Sequence, residues 1–421
     1  MAIPDRYLRL RSSQPYITTE STAGSYVAVS ASDGFTTTEP LALSQTFNTS
    51  DISEVGTRLL QNRSFVNYAE RATFDIPFLV KPSGTAGTAP AEDALLQKIF
   101  GTKTVAASTS VTYSFANVAT TFQVAQLVDT YKLYVSNGTK IEGFNMDISR
   151  NGILQMSANA RGQRIRFSGP VNATGTDVSV TDSSPATVTL DPATNAVASD
   201  YFFAGQLVDI YDSSDTQVNT GGAATISSPS TTAATVGVQA ASSDSFTVSA
   251  TDYLVPHLPA ATLSSYEPLC MDKGQVYVGA QNAAVGTGSG QIFHTDNEFL
   301  ATDFSVSASF NIGDPGISEM NGTLYPAAAY VTNQIDITGS FNFVLRPAQA
   351  YRFEQFIRTN EVSLGVQVGD TSGSILRIAI PSARVSIAPS EQDGAAAATV
   401  DFTLTQGSST TDAGAFSLIY L

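Results

Sequence analysis

Apolar and polar residues alternate along several segments of the chain. A period of two places one set of side chains against a core and the other against water, which is typical of antiparallel strands. In the second half, for example, Phe304, Val306 and Ala308 are separated by Ser305 and Ser307. The same alternation predicts strands over residues 43–48, 73–80, 144–149, 154–159, 304–311 and 335–343.

Two short segments carry a helical pattern instead. Residues 91–101 open with acidic residues, which the helix dipole favours, place four apolar side chains on one face and end at Gly101. Residues 348–359 form the corresponding segment downstream. Asn-Gly pairs at 137–138 and 151–152 predict hairpin turns, because such turns require positive φ at their central residues.

A short pattern occurs twice with the same internal spacing. Glu54 and Lys81 are 27 positions apart, and so are Glu319 and Arg346, with an apolar strand before each cation and a Pro after it. Each copy then enters one of the two helical segments. The equal spacing predicts a duplicated unit. We therefore expect a mainly β protein with two tandem antiparallel β-sandwiches, each flanked by one α-helix, at residues 41–170 and 266–421.

The first unit contains an unusually long predicted loop, residues 50–70. Long loops inside compact domains are usually functional, and this one carries five apolar side chains that are unfavourable in water. We expect them to pack on a neighbouring subunit or, alternatively, on their own sandwich. These side chains are Leu59, Leu60, Phe65, Val66 and Tyr68.

The composition changes between the two units. No Lys or Arg occurs between Arg166 and Lys273, whereas eleven acidic residues do, and this stretch holds most of the net charge of −16. Strand patterns and Gly/Ser/Thr turns continue through it. It predicts a small inserted all-β domain at residues 171–265, and residues 1–40 are interpreted as an N-terminal arm.

The overall composition argues against several classes of protein. An acidic chain lacks the clustered cations that grip nucleic acid. The single cysteine, Cys270, excludes an intramolecular disulfide and is expected to fill a small apolar gap. No apolar run is long enough for a membrane span, and the first residues lack the apolar core of a signal peptide. We therefore expect the protein to stay in the cytosol or to leave it by a non-secretory route.

No arrangement of residues predicts catalysis. The two histidines, His257 and His294, have carboxylates near them in sequence but no nucleophile elbow. The glycine-rich segment 286–290 lacks the lysine and the spacing of a phosphate-binding loop. We expect no enzyme activity, no cofactor and no metal site.

Residues 89–101, with their Gly/Ala/Pro turn and Leu-Leu helix, and the later strand ending in Ala160-Arg161-Gly162 resemble the major tail tube proteins of long-tailed (siphovirus-type) bacteriophages. The resemblance covers about residues 41–166 and 300–410. It implies a virion protein, assembled in the host cytoplasm, whose stacked rings conduct double-stranded DNA during ejection. Most such proteins form hexameric rings, so the duplication implies three subunits per ring. Implied partners are the tape measure, terminator and distal tail proteins, without membrane insertion.

The lumen of such a tube would be lined by the wet face of the sandwich strands. Phosphates bind Lys and Arg strongly, so a wall without them lets a duplex slide. These residues could equally be the solvent face of any antiparallel sheet, or part of a contact between rings. A capsid decoration protein or a β-sandwich adhesin is the alternative function. The candidate lumen residues are Asn145, Asp147, Ser149, Ser305, Ser307, Ser309, Asn311, Asp336, Thr338, Ser340, Asp401 and Thr403.

Overall fold

Antiparallel strands make up most of the protein, so the prediction of a mainly β fold is confirmed. Its side chains alternate between core and solvent along most of these strands, as the period of two requires. The computed structural model describes residues 13–52, 63–116, 120–129, 131–149, 152–191, 196–263, 265–270, 274–299, 301–313, 325–326, 330–332, 334–344, 358, 361–392, 395–405 and 414–421.

The first part of the chain contains ten strands and one helix in the described residues. They are β1 (Gln14–Thr19), β2 (Phe47–Ile52), β3 (Arg63–Ala69), β4 (Ala72–Leu79), α1 (Asp93–Phe100), β5 (Gly101–Ala106), β6 (Ser110–Phe115), β7 (Phe122–Val128), β8 (Lys132–Ser149), β9 (Gln155–Gly162) and β10 (Arg164–Ser168). A 3-10 turn spans Ala31–Asp33. The segment interpreted as an arm therefore contains a strand, β1, which pairs with β7.

The middle of the chain forms a closed barrel in the strand order β11-β13-β16-β15-β14-β18, with β12 and β17 as a separate pair. It has a core of its own, and its ends at residues 171 and 257 lie inside the insert predicted at 171–265. Its elements are β11 (Val171–Thr174), β12 (Val178–Thr181), β13 (Ala186–Asp191), α2 (Ala198–Tyr201), β14 (Leu207–Tyr211), β15 (Ala224–Pro229), β16 (Thr235–Gln239), β17 (Ser245–Val248) and β18 (Tyr253–His257).

The last part of the chain returns to the large sheet. Its described elements are β19 (Gln275–Ala280), a 3-10 turn (Thr295–Asn297), β20 (Glu298–Phe299), β21 (Ala301–Ser309), β22 (Ile312–Gly313), β23 (Val331–Thr332), β24 (Asp336–Val344), β25 (Glu361–Val368), β26 (Leu376–Gln392), β27 (Ala395–Leu404) and β28 (Ser417–Tyr420). The second predicted helix, residues 348–359, lies outside the described residues except for Arg358.

The same order of strand pairing occurs twice in the large sheet. In the first part, β1 pairs with β7, β7 with β8, β8 with β9 and β9 with β4, while β10 also pairs with β8. In the last part, β19 pairs with β25, β25 with β26, β26 with β27 and β27 with β24, while β28 also pairs with β26. The two sets are joined through β8 and β21.

The predicted hairpin turn at Asn137-Gly138 is wrong, because β8 runs straight through it. Gly138 does have a positive φ of 61°, but it sits at an irregularity of the β7–β8 pairing rather than in a turn. The buried carboxylate of Glu20 accepts hydrogen bonds there from the Gly138 backbone N–H at 2.7 Å and from the Asn137 amide at 3.4 Å. The local preference for positive φ is therefore satisfied at a pairing irregularity within a long strand.

The predicted loop at residues 50–70 is strand over part of its length. Strand β2 begins before it and β3 occupies residues 63–69, and the two pair as an antiparallel ribbon. Residues 53–62, which include two of the five apolar side chains, lie outside the described residues. The other three belong to β3.

One hydrophobic core lies under both sets of strands. Helix α1, confirmed at Asp93–Phe100, buries its apolar face in this core, and Gly101 follows it with a φ of 90°. Phe100 stacks on Phe416 at a ring-centroid distance of 5.7 Å. Strand β28, which follows Phe416, lies between β26 and β6 and so connects the last part of the chain to the first. In the described residues no helix is long and apolar enough to cross a membrane.

Candidate lumen-facing surface

Four adjacent strands bring most of the predicted lumen residues together. The C-terminal half of β8, then β21, β24 and β27 lie side by side, and we call their outward side the polar face. The inward positions carry buried apolar side chains such as Met146, Val306 and Phe402. Since the side chains alternate, the Ser, Thr, Asn and Asp between them must all point outward.

The register aligns these side chains in rows across the strands. One row contains Asn145, Ser307, Thr338 and Thr403, and the next contains Asp147, Ser305, Ser340 and Asp401. In a further row, Ser309 of β21 lies opposite Asp336 of β24. Asn311 lies just beyond β21, and its amide donates to the Asp336 carboxylate at 2.7 Å. The backbone of Ser149 ends β8 opposite Asp303.

Hydrogen bonds cross the polar face between neighbouring strands. Ser307 Oγ donates to Asn145 Oδ1 at 2.7 Å, and the hydroxyls of Ser305 and Ser340 lie 3.0 Å apart. The amide of Asn342 donates to both carboxylate oxygens of Asp303 at 2.9 Å. Much of the hydrogen-bonding capacity of these groups is thus satisfied within the face, and the side chains involved are short.

The surface is concave and acidic. A depression of about 630 Å³ is lined by residues of all four strands. The outward positions of these strands include the carboxylates of Asp147, Asp303, Asp336 and Asp401, with no Lys or Arg in their described residues. Cations lie just beyond these segments: Lys140 precedes the C-terminal half of β8, Arg161 on β9 pairs with Glu142 at 2.7 Å, and Arg384 lies on β26 opposite Thr403. A polyanion passing over these four segments would meet hydroxyls, amides and carboxylates, since their described residues include no Lys or Arg.

The sequence pattern also contained polar positions that were not predicted as part of this surface. Asp303, Asn342 and Thr399 form the row beside Ser149. Strand β9 extends the face with Gln155, Ser157, Asn159 and the cation Arg161, which alternate with buried Met156, Ala158 and Ala160. The signal that identifies them is the same period of two.

The other groups considered for chemistry lie apart from one another. His257 Nδ1 is 2.8 Å from the Asp209 carboxylate, between adjacent barrel strands. His294 Nδ1 accepts from the Asp296 backbone N–H at 3.2 Å. Cys270 is exposed, so its predicted role as a buried apolar filler is wrong. Across the described ranges, no three metal-ligating side chains come close enough to hold an ion.

Comparison with known proteins adds no assignment. No protein-family model matches the chain, and no curated protein matches its sequence. Any functional conclusion must therefore come from the molecule itself.

Proposed function

We propose that the protein is a structural subunit that polymerises into stacked rings and forms a tail tube, a conduit for double-stranded DNA in a long-tailed bacteriophage. The observation that carries this proposal is the polar face, a concave surface without outward cations that joins the two sets of strands. A wall of this kind suits a polyanion that must move without binding.

The repeated pairing order supports a duplicated tube unit. Each set of strands has the same neighbours in the same order, and the spacing of 27 residues in the sequence repeat places β4 and β24 at corresponding positions. In this proposal the chain contains two tandem tail-tube-like β-sandwiches. Three chains then surround the lumen with six such units, and the candidate lumen residues line it.

The barrel is the proposed outer domain. It packs on the sheet of β1, β7 and the first half of β8, through Phe203, which stacks on Tyr26 at 4.7 Å, and through Tyr16, whose hydroxyl donates to the Pro259 carbonyl. These contacts lie on a different part of the molecule from the polar face. The barrel would therefore project from the tube and leave the lumen free.

The remaining partners follow from the same proposal. A tube in a virion must meet a tape measure protein inside, a terminator at one end and distal tail proteins at the other. Assembly would take place in the host cytoplasm. Residues 53–62 remain a candidate for contacts between subunits.

Self-assembly is the decisive test. Purified full-length protein at high concentration should form rings or tubes under negative-stain electron microscopy, and native mass measurement should give three chains per ring. A protein that stays monomeric at the highest soluble concentration would contradict the proposed function. Rings of six chains would contradict the duplication of the tube unit.

A further inference from the structure

The C-terminal half of β26 is an open edge of the large sheet. Residues 385–392 pair with β27 on one side, whereas β25 and β28 pair only with the earlier half of the strand. Val385 and Ile387 point toward the core but are only partly buried. Unpaired backbone groups beside partly exposed apolar side chains favour the addition of another strand.

Inside the chain, the equivalent strand edge in the first set of strands is covered by another strand. The C-terminal half of β8 occupies the position in the first set of strands that β26 occupies in the second, since each pairs with the strand that follows it. Strand β21 covers β8 on its other side. There the inward residues Phe144 and Met146 are completely buried.

A segment equivalent to β21 lies at the opposite edge of the sheet. Residues 38–46 run beside β4 as β21 runs beside β24, with a bridge between Ser44 and Thr73 and a hydrogen bond from the Thr38 N–H to the Pro77 carbonyl. Within the described residues, no strand pairs with the other side of this segment. It meets β4 at isolated points only, whereas β21, held between two strands, is continuous over nine residues.

The register of the internal junction predicts which residues would meet. Ser307 pairs with Thr338 of β24, and Ser44 bridges to Thr73, which corresponds to Thr338 in the repeat. Ser44 is therefore the counterpart of Ser307, whose partner across the junction is Asn145.

The counterpart of Asn145 is found in the same way. Asn145 shares a row with Ser157 and Pro77. Pro77 corresponds to Asn342, which shares a row with Thr399 and Ala388. Ala388 thus stands where Asn145 stands in the first set of strands.

We propose that β26 of one copy pairs antiparallel with residues 38–46 of a second copy, with Ser44 opposite Ala388. The occupant is a second copy because its free segment has the same neighbours and the same register as the strand that covers the equivalent edge inside the chain. This contact rests on the ring proposed above and names its interface. Repeated head to tail, it joins eight strand segments from each chain into one continuous wall.

Disulfide cross-linking tests the contact directly. Ser44→Cys and Ala388→Cys are combined with Cys270→Ser, which removes the native thiol. Both positions are exposed on the wet side, so the substitutions should leave the fold intact. The two sites lie at opposite edges of the sheet within one chain, about seven strand spacings or roughly 34 Å apart along it. Mild oxidation of assembled protein should therefore give covalent species of two and three chains on a non-reducing gel.

The internal junction supplies a matched control. Asn145→Cys with Ser307→Cys, in the same background, should close within one chain and leave the mass unchanged, because those two side chains are in hydrogen-bond contact. Ser44→Cys with Ser386→Cys shifts the pair by two residues. Its yield of cross-linked chains should be at least about tenfold lower, because a disulfide needs Cβ atoms within about 4.5 Å.

Each outcome of the cross-linking experiment supports or overturns the proposed contact. Rings or tubes without 44–388 cross-links would overturn the contact and leave the proposed function standing, and equal yields from the shifted pair would overturn the register. Absence of any assembly, with the internal disulfide formed, would overturn both proposals. Hydrogen exchange on the unmodified protein is an independent measurement. The amides of residues 385–392 that point away from β27 should become protected on assembly, and unchanged exchange there would overturn the contact.

Discussion

Cations placed on the polar face should make it bind the DNA that passes over it. Asp147 and Asp401 lie in the same row, at the two outer strands, and both are exposed. Asp147→Lys with Asp401→Lys therefore adds two cations per chain without removing any of the hydrogen bonds described above. Asp336 is left unchanged because its carboxylate accepts from Asn311 and Gln334.

The magnitude follows from counterion release. Three chains would place six lysines around each ring, and each neutralised phosphate contributes a slope of about −0.9 in log affinity against log salt. If all six engage, affinity for DNA should fall on the order of 10³-fold between about 50 and 200 mM salt. The fold itself should change little, since exposed strand positions usually tolerate substitution within about ±0.5 kcal/mol.

The assay is DNA ejection from virions that carry the double variant. They should assemble and adsorb normally but eject slowly at low salt, and added salt should restore the rate. Asp177→Lys with Asp191→Lys makes the same charge change at exposed barrel positions and should leave ejection unaltered. Normal ejection by the polar-face variant at low salt would refute the assignment of this face to the lumen, and failure to form tubes would place these residues at a ring contact instead.

Two other predictions address stability and the barrel. Burial raises the pKa of Glu92 to about 7, so unfolding should become easier as pH rises from about 4.5 to 7. Glu92→Gln should then be more stable than the parent by about 3 kcal/mol at pH 8 and nearly equal to it at pH 4, as measured by denaturant titration. An equal difference at both pH values would contradict this cause. Replacing residues 171–258 by a short Gly/Ser linker should still yield tubes, because Val171 and Leu254 pair directly and the ends are close. Tyr26→Ser should accompany the deletion, since Tyr26 loses its partner Phe203. Loss of tubes by a protein with a cooperative unfolding transition would mean that the barrel takes part in the ring.

Structural features that depend on residues close together in the chain could be predicted from the sequence. Alternation along β21 and β24 predicted both their strands and their outward polar side chains, because each buried Phe or Val fixes the direction of its neighbours. Helix α1 was likewise predicted from the spacing of its apolar residues and the glycine that follows them.

The features that were missed depend on residues far apart in the chain. Asn137-Gly138 has the composition of a hairpin turn, but Glu20, 118 positions before Gly138, holds it within a strand. The sequence pattern assigns β1 to an arm because its partner, β7, is more than 100 residues away. A signal did exist: Gln14-Pro15-Tyr16-Ile17 and Gln275-Val276-Tyr277-Val278 begin the two equivalent strands β1 and β19.

The distribution of charge over the two sets of strands indicates why a duplicated subunit would keep the polar face similar in both halves. Its other surfaces are free to diverge. At equivalent positions, β4 presents Asp75 and β24 presents Ser340. In both cases the neighbouring outward side chains are uncharged or acidic. Elsewhere the halves diverge, since only the first is followed by the acidic barrel. Fusion of two units allows such divergence, because each half has its own sequence. A lumen, by contrast, exposes both halves to the same passing polyanion. The polar face is then the part of the surface on which a new cation is least acceptable in either half.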